Sequence, residues 1–107
     1  MQMQTASRLR IYIDDSDQLG GMAAYRWLVE KAHAAGLRGA TVLRGTMGFG
    51  GHGEIHSSAV FALAADLPLV IEIIDAREKI DRYVTDFLSD LDKGAVTIET
   101  VEAGFPG

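Results

Sequence analysis

The sequence lacks cysteine, and its 107 residues contain no long apolar run. The absence of cysteine excludes disulfides, thiol catalysis and thiolate metal sites, and it fits a reducing compartment. The apolar runs fall well short of the roughly 18 to 20 residues that a membrane-spanning helix needs, and residues 1–7 have no apolar core of the kind that export signals carry. We therefore expect a soluble, cytoplasmic protein.

Basic side chains are also few, with ten Lys and Arg against fifteen Asp and Glu, which gives a net charge of -5. This charge repels phosphodiester backbones unless a local patch reverses the field, so we expect no nucleic-acid partner. A chain of this length with 48% hydrophobic residues can bury one small core. We expect a single domain over 1–107, with its core at about 8–102.

Apolar spacing predicts four strands and two helices, and it leaves open whether residues 54–65 form a third helix. The strands are expected near residues 9–13, 40–43, 69–74 and 95–101, and the helices near 25–35 and 76–91. Gly36 would end the first helix in a left-handed conformation, and Asp75 with Glu78 would form a capping box at the start of the second. Trp27 projects away from the apolar stripe of the first helix, which fits either a lid over Lys31 or a subunit contact.

A glycine-dense segment, residues 44–56, follows the second strand and holds five of the twelve glycines. Glycines let backbone N–H groups approach a ligand, so the segment is a candidate anion cradle. Gly48, Gly50 and Gly53 also satisfy G-x-G-x-x-G, with Asp75 about twenty residues further on, as in dinucleotide-binding units. That alternative requires a helix over 54–65, whereas a loop there gives a βαββαβ order.

Two segments resemble PII-like signalling proteins, most closely the branch catalogued as domain of unknown function 190. They are the run Arg44-Gly45-x-x-Gly48-Phe49-Gly50 and the run Asp66-Leu67-Pro68-Leu69-Val70-Ile71-Glu72-Ile73-Ile74-Asp75. The resemblance implies an α+β, ferredoxin-like βαββαβ fold, in which an antiparallel sheet carries two helices on one face. It also implies a homotrimer and a long loop between strands 2 and 3, here about 47–65, that acts as an effector arm.

The outer face of the predicted sheet supports an assembly independently. If Leu69, Ile71 and Ile73 face the helices, the opposite face carries apolar side chains that would be exposed to water in a single chain. This outer set comprises Tyr12, Val70, Ile74 and Val101, together with Glu72. Packing against further copies of the chain would bury it.

The resemblance further implies an adenine nucleotide as the small-molecule effector, held in clefts between subunits. Carried over by position, the ligand-binding residues are Arg44, Gly48, Phe49, Gly50, Gly51 and His52 at the base of the loop, and Lys93 with Gly94 at the turn before the last strand. That turn lacks the extra glycines of the nitrogen-regulatory members, and the basic C-terminal segment is missing. Fewer cations suggest a ligand with fewer phosphates than ATP, and the loop would engage a protein partner such as a membrane transporter.

The same loop allows a metal site, because His52, Glu54 and His56 alternate and would share one side of an extended chain. Ser57 and Ser58 lack a nucleophile elbow, and the carboxylates of Glu72 and Glu99 are more simply explained by solvation than by catalysis. The expected function is a non-enzymatic PII-like regulator. A metal-binding PII-like protein and a small dinucleotide-binding domain are the alternatives.

Overall fold

A computed structural model describes residues 1–50, 55–57 and 66–106, with only the backbone described for His56 and Ser57. The elements in chain order are β1 Met3–Asp14, β2 Gln18–Leu19, β3 Met22–Ala23, α1 Ala24–Ala34, β4 Thr41–Arg44, β5 Met47–Gly48, β6 His56–Ser57, β7 Pro68–Asp75, α2 Arg77–Phe87 and β8 Ala95–Gly104. The long strands form one sheet in the order β4-β7-β1-β8, while β2 pairs with β3 and β5 pairs with β6.

All the neighbouring strands of the four-stranded sheet are antiparallel. With α1 between β1 and β4 and α2 between β7 and β8, the chain has the predicted α+β ferredoxin-like βαββαβ fold. The dinucleotide-binding alternative is wrong, because it needs parallel strands joined by a helix, and β4 and β7 run antiparallel. Most of the segment 54–65 lies outside the described residues; of the described residues 55–57, His56–Ser57 is extended and pairs with Met47–Gly48.

The core lies between the sheet and the two helices. Every second residue of β7 is buried, as the alternation predicts, and its partners on β1 are Leu9, Ile11 and Ile13. The Tyr83 hydroxyl of α2 donates a 2.7 Å hydrogen bond to the carbonyl oxygen of Leu28 in α1. Burial raises the pKa of the Tyr83 phenol, so this donor keeps its proton and ties the helices together.

The predicted capping box at α2 is wrong, because Asp75 is the last residue of β7 and its side chain is buried on the helix side of the sheet. One carboxylate oxygen accepts a 2.9 Å bond from the Arg38 N–H, and the other accepts a 2.7 Å bond from the Ala76 N–H. Ala76 takes the N-cap position without a side-chain cap. Asp75 therefore fixes the connection between α1 and β4 against the end of β7.

The end of α1 agrees with the sequence prediction, whereas the end of α2 does not. Gly36 follows α1 with φ +77°, as predicted for a helix stop. The second helix ends at Phe87, earlier than predicted, because Ser89, Asp90 and Asp92 are poor helix formers. Leu88 and Leu91 still contact the core from the following turn.

Trp27 lies half buried beside both helices. Its ring packs edge-on against Phe87 with centroids 6.0 Å apart, and the Lys31 ammonium lies 5.4 Å from the indole centroid. Gly20, with φ +59°, leaves room for the indole where a Cβ would clash. Within this single chain, Trp27 serves as a packing residue that also contacts Lys31.

Ion pairs cross the outer face of the sheet. Arg10 on β1 lies between Glu72 and Glu99, at 2.9 Å and 3.7 Å, and Arg8 contacts Glu99 at 3.0 Å. Glu72 raises the pKa of the Arg10 guanidinium, and Arg8 lowers the pKa of Glu99. The middle of this face is therefore charged. The sequence predicted Glu72 on this face but not the two arginines that form the ion pairs. Within the described part of the chain, no helix is long and apolar enough to span a membrane.

Candidate functional site

Strand pairing brings four distant parts of the chain to one end of the sheet. Tyr12 pairs with Ala95, and Asp14 pairs with Pro68. The chain leaving β1 therefore lies beside the turn that enters β8 and beside the start of β7. The Gly45 N–H donates a 2.7 Å bond to the Pro68 carbonyl, which adds the base of the glycine-dense segment to the same end.

A cavity of about 370 Å³ opens among these segments. Phe49 and Gly50 line one side, and Lys93 and Gly94 line another. Its floor includes apolar side chains of the sheet, among them Tyr12 and Val70. The size and the combination of apolar floor and polar rim are typical of small-molecule sites.

Lys93 is held at the rim by a buried carboxylate. Its ammonium lies 3.2 Å from Oδ1 of Asp17, and the side chains of Lys93 and Asp17 are 51% and 7% exposed. The other carboxylate oxygen of Asp17 accepts a 2.9 Å bond from the Asp14 N–H. The hydrogen bond that the Lys93 ammonium donates to Asp17 raises the pKa of Lys93, so the lysine keeps its charge throughout the physiological range.

Gly94 is required by the geometry of the turn. Its φ is +88°, and a Cβ at this position would overlap the carbonyl oxygen of Tyr12. The turn can therefore approach the end of β1 closely only with glycine here. Lys93 owes its place beside the cavity to that approach.

Arg44 and Gly48, which were also predicted to bind the ligand, are not among the residues that line the cavity. A Cβ on Gly45 or Gly48 would meet the Pro68 ring at 2.7 or 3.0 Å, so these glycines serve the packing of the chain against Pro68. Arg44 forms an ion pair with Asp15. Gly51 and His52 lie outside the described residues.

The metal alternative falls largely outside the described residues as well. His52 and Glu54 are not described, and only the backbone of His56 is, where it pairs with Gly48. Across residues 1–50, 55–57 and 66–106 there is no group of three or more His, Asp or Glu side chains that could hold a metal ion.

Sequence reasoning missed Asp14 and Asp17, which line the cavity beside Lys93. Their sequence context does not distinguish them, because acidic side chains after a strand usually mark a solvated turn. Pairing of the first and last strands could have found them, since it places the residues that leave β1 opposite those that enter β8. The sequence signal for this contact is that Lys93, just before the last strand, would then face the acidic residues of the turn at 14–17.

The whole chain is similar in structure to PII-like proteins. CPII of Thiomonas intermedia, a nitrogen regulatory PII-like protein solved with ADP, AMP and bicarbonate, superposes with a TM-score of 0.75 at 17% identity, covering 98% of this chain and 93% of that one. A putative PII-like signalling protein of Thermus thermophilus gives 0.69 at 16% identity, covering 96% and 93%. The GlnK–ATP complex of B. subtilis gives 0.51 at 13% identity, covering 91% and 82%. The chain therefore has the same fold as these PII-like proteins.

The sequence matches define the branch. Residues 6–103 match the family DUF190, described as "Uncharacterized ACR". A UPF0166 protein of Aquifex aeolicus is 39% identical over 94 residues, covering 88% of this chain and 89% of that protein. A UPF0166 protein of Methanocaldococcus jannaschii is 33% identical over 82 residues, covering 77% and 75%. The chain belongs to the DUF190 family, as its glycine segment and its strand β7 had suggested, and it has the fold of PII-like proteins.

Proposed function

We propose that the protein is a non-enzymatic regulator that binds an adenine nucleotide at the cavity between Phe49–Gly50 and Lys93–Gly94. The observation that carries the proposal is the convergence of these two segments, 43 residues apart in sequence, on one cavity of about 370 Å³. A cavity of this size accommodates a base and part of a ribose phosphate. The nucleotides named for CPII and GlnK support the choice of ligand class.

Phe49 adds a second argument for a planar ligand. The residue is 72% exposed and lines the cavity, and an aromatic ring exposed to water in this way is energetically unfavourable. A base stacked on the ring would cover that surface, and such stacking contributes about 1–3 kcal/mol per base. The half-exposed Lys93 ammonium has further N–H donors besides the one on Asp17, and these can reach a phosphate.

The proposed output is a change in the segment 47–65, which begins at the cavity wall. A ligand that contacts Phe49 and Gly50 would fix the start of this segment and alter what it presents to a partner protein, such as a membrane transporter. We further propose that the protein acts as a trimer in which a neighbouring subunit completes the cleft. No catalytic step is required for this mechanism.

The test is binding of a defined set of ligands to the full chain, by calorimetry and thermal shift. The set comprises AMP, ADP, ATP, cyclic AMP, NAD and Zn²⁺. An adenine nucleotide at about 100 times its dissociation constant should stabilise the folded state by roughly 2.7 kcal/mol per site. If Zn²⁺ shifts the melting temperature, no nucleotide does, and His52→Ala with His56→Ala abolishes the zinc effect, the protein is a metal-binding member instead.

Two substitutions locate the site. Phe49→Ala should weaken nucleotide binding about tenfold without destabilising the fold, because the ring is mostly exposed. Its matched control is Met47→Ala, which removes a side chain of similar exposure, 63%, that does not line the cavity. Lys93→Ala should also weaken binding about tenfold or more, with exposed Lys79→Ala on α2 as the charge control. Unchanged affinity in both Phe49→Ala and Lys93→Ala would rule out this cavity.

A further inference from the structure

Lys93 and two carboxylates, Asp14 and Asp17, are the charged side chains among the described residues that line the cavity. Among the described residues that line the cavity, Lys93 is the only basic one. Its ammonium already contacts Oδ1 of Asp17 at 3.2 Å. The positive charge offered to a ligand is therefore largely compensated before any ligand binds.

Asp17 cannot easily release the lysine by turning away. The residue is 6% exposed, and its second oxygen is fixed by the Asp14 N–H at 2.9 Å. Its backbone carbonyl also accepts a 2.7 Å bond from the Ala24 N–H at the start of α1. The carboxylate is thus held in place from both its main chain and its side chain.

Arg44 does not supply a further uncompensated positive charge beside Lys93. Arg44 precedes the glycine-dense segment, but its guanidinium is paired with Asp15, which follows directly after β1. Each of these two cations therefore meets a carboxylate from the acidic turn at 14–17. A ligand with several phosphates would need cations that this end of the sheet has already neutralised.

We propose that Asp17 is a specificity-determining residue that restricts the cavity to ligands carrying a single phosphate and selects against nucleoside di- and triphosphates. This inference rests on the proposed function and names the ligand class of the same site. A monophosphate brings one group for the free donors of Lys93 to bind. Each further phosphate adds negative charge near Asp14 and the buried Asp17 without gaining a new cationic partner among the described residues that line the cavity.

The experiment measures dissociation constants of AMP, ADP and ATP for the full chain without divalent cations, because a bound cation would neutralise the extra phosphates. The wild type should bind AMP at least about tenfold more tightly than ATP, since a unit charge at a partly solvated site changes affinity by about that factor or more. Asp17→Asn should shrink this ratio several-fold or reverse it. Asp17→Glu, which keeps the charge, should retain the preference for AMP.

Asp81→Asn is the matched control, because it removes one carboxylate from the exposed face of α2, where Asp81 pairs with Arg77. It should leave the AMP to ATP ratio unchanged. A second measurement needs no variant: raising the salt concentration from about 0.05 to 0.5 M should favour ATP relative to AMP in the wild type, because screening weakens repulsion. This result does not depend on whether Asp17→Asn folds.

The outcomes separate the two proposals. If AMP and ATP bind but their ratio is the same in wild type and folded Asp17→Asn, or if the wild type prefers ATP, Asp17 does not set specificity and the binding function stands. If salt favours AMP instead of ATP, the charge argument is also wrong. If no adenine nucleotide binds to the wild type, the proposed function fails and the inference falls with it.

Discussion

Single residues at the end of the sheet decide whether the cavity exists. Gly94 has φ +88° and lies against the Tyr12 carbonyl, and Lys93 depends on the turn that this contact allows. Both residues were predicted to bind the ligand only through family resemblance. The structural reason, a close approach of two backbones, cannot be deduced from residue spacing because it depends on how β1 and β8 pair.

Gly94→Ala should lower the free energy of unfolding by at least about 2 kcal/mol, from left-handed strain together with the clash on Tyr12. Chemical denaturation measures the change. Gly21→Ala is the control, since Gly21 has φ +79° but nothing within 4 Å of the added Cβ. The control should show only the strain, about 1 kcal/mol. Equal losses in the two variants would show that the Tyr12 contact can relax.

Tyr83→Phe tests the buried hydrogen bond between the helices. Removing the hydroxyl should cost about 1 kcal/mol, because the Leu28 carbonyl loses a 2.7 Å partner in a buried position. For a chain of this length, that corresponds to a fall in melting temperature of about 4 °C. An unchanged melting temperature would mean that the hydroxyl contributes no net stability there.

At the level of elements, the sequence predicted most of the sheet and both helices, because alternating and helical spacing reports which side faces a core. It missed the ends. Strand β1 begins at Met3 and not near Leu9, because β8 extends to Gly104 and pairs with β1 from Met3 to Tyr12. Pairing between segments that are far apart in sequence leaves no periodic signal in the polar residues 3–7.

A charged ladder of ion pairs, formed by Arg8, Arg10, Glu72 and Glu99, joins β7, β1 and β8. It predicts that the stability of the fold depends on pH. Arg8 lowers the folded-state pKa of Glu99, so Glu99 contributes stability above its unfolded pKa, and this contribution is lost as the pH falls through the folded-state value. Glu99→Gln should therefore flatten the fall in the free energy of unfolding below about pH 4.5. Glu102→Gln on the same strand is the control, because Glu102 makes no ion pair with the residues that the structure describes. A wild-type pH profile retained in Glu99→Gln would contradict this role.

At the scale of the whole molecule, the outer face of the sheet is the surface through which further copies of the chain would assemble. The ladder makes its middle polar, but β-strand pairing also sets Leu43, Val70 and Tyr12 in a row across it. Leu43 is 52% exposed and Tyr12 is 39% exposed, while the Nε of Arg8 is buried without a hydrogen-bond partner among the described residues. A second copy of the chain could cover the row and provide an acceptor for Arg8, as closed assemblies do.

We therefore expect light scattering to give about three times the 11.5 kDa chain mass. Leu43→Glu should lower that mass, because a charge placed in an apolar contact is costly to bury. Met3→Glu is the matched control: Met3 is 53% exposed, and the β1 alternation places it on the helix side of the sheet. Loss of assembly in Leu43→Glu alone would place the subunit contact on the outer face. A wild type that scatters as a monomer at micromolar concentration would leave the cavity to function within one chain, and the shared cleft would be wrong.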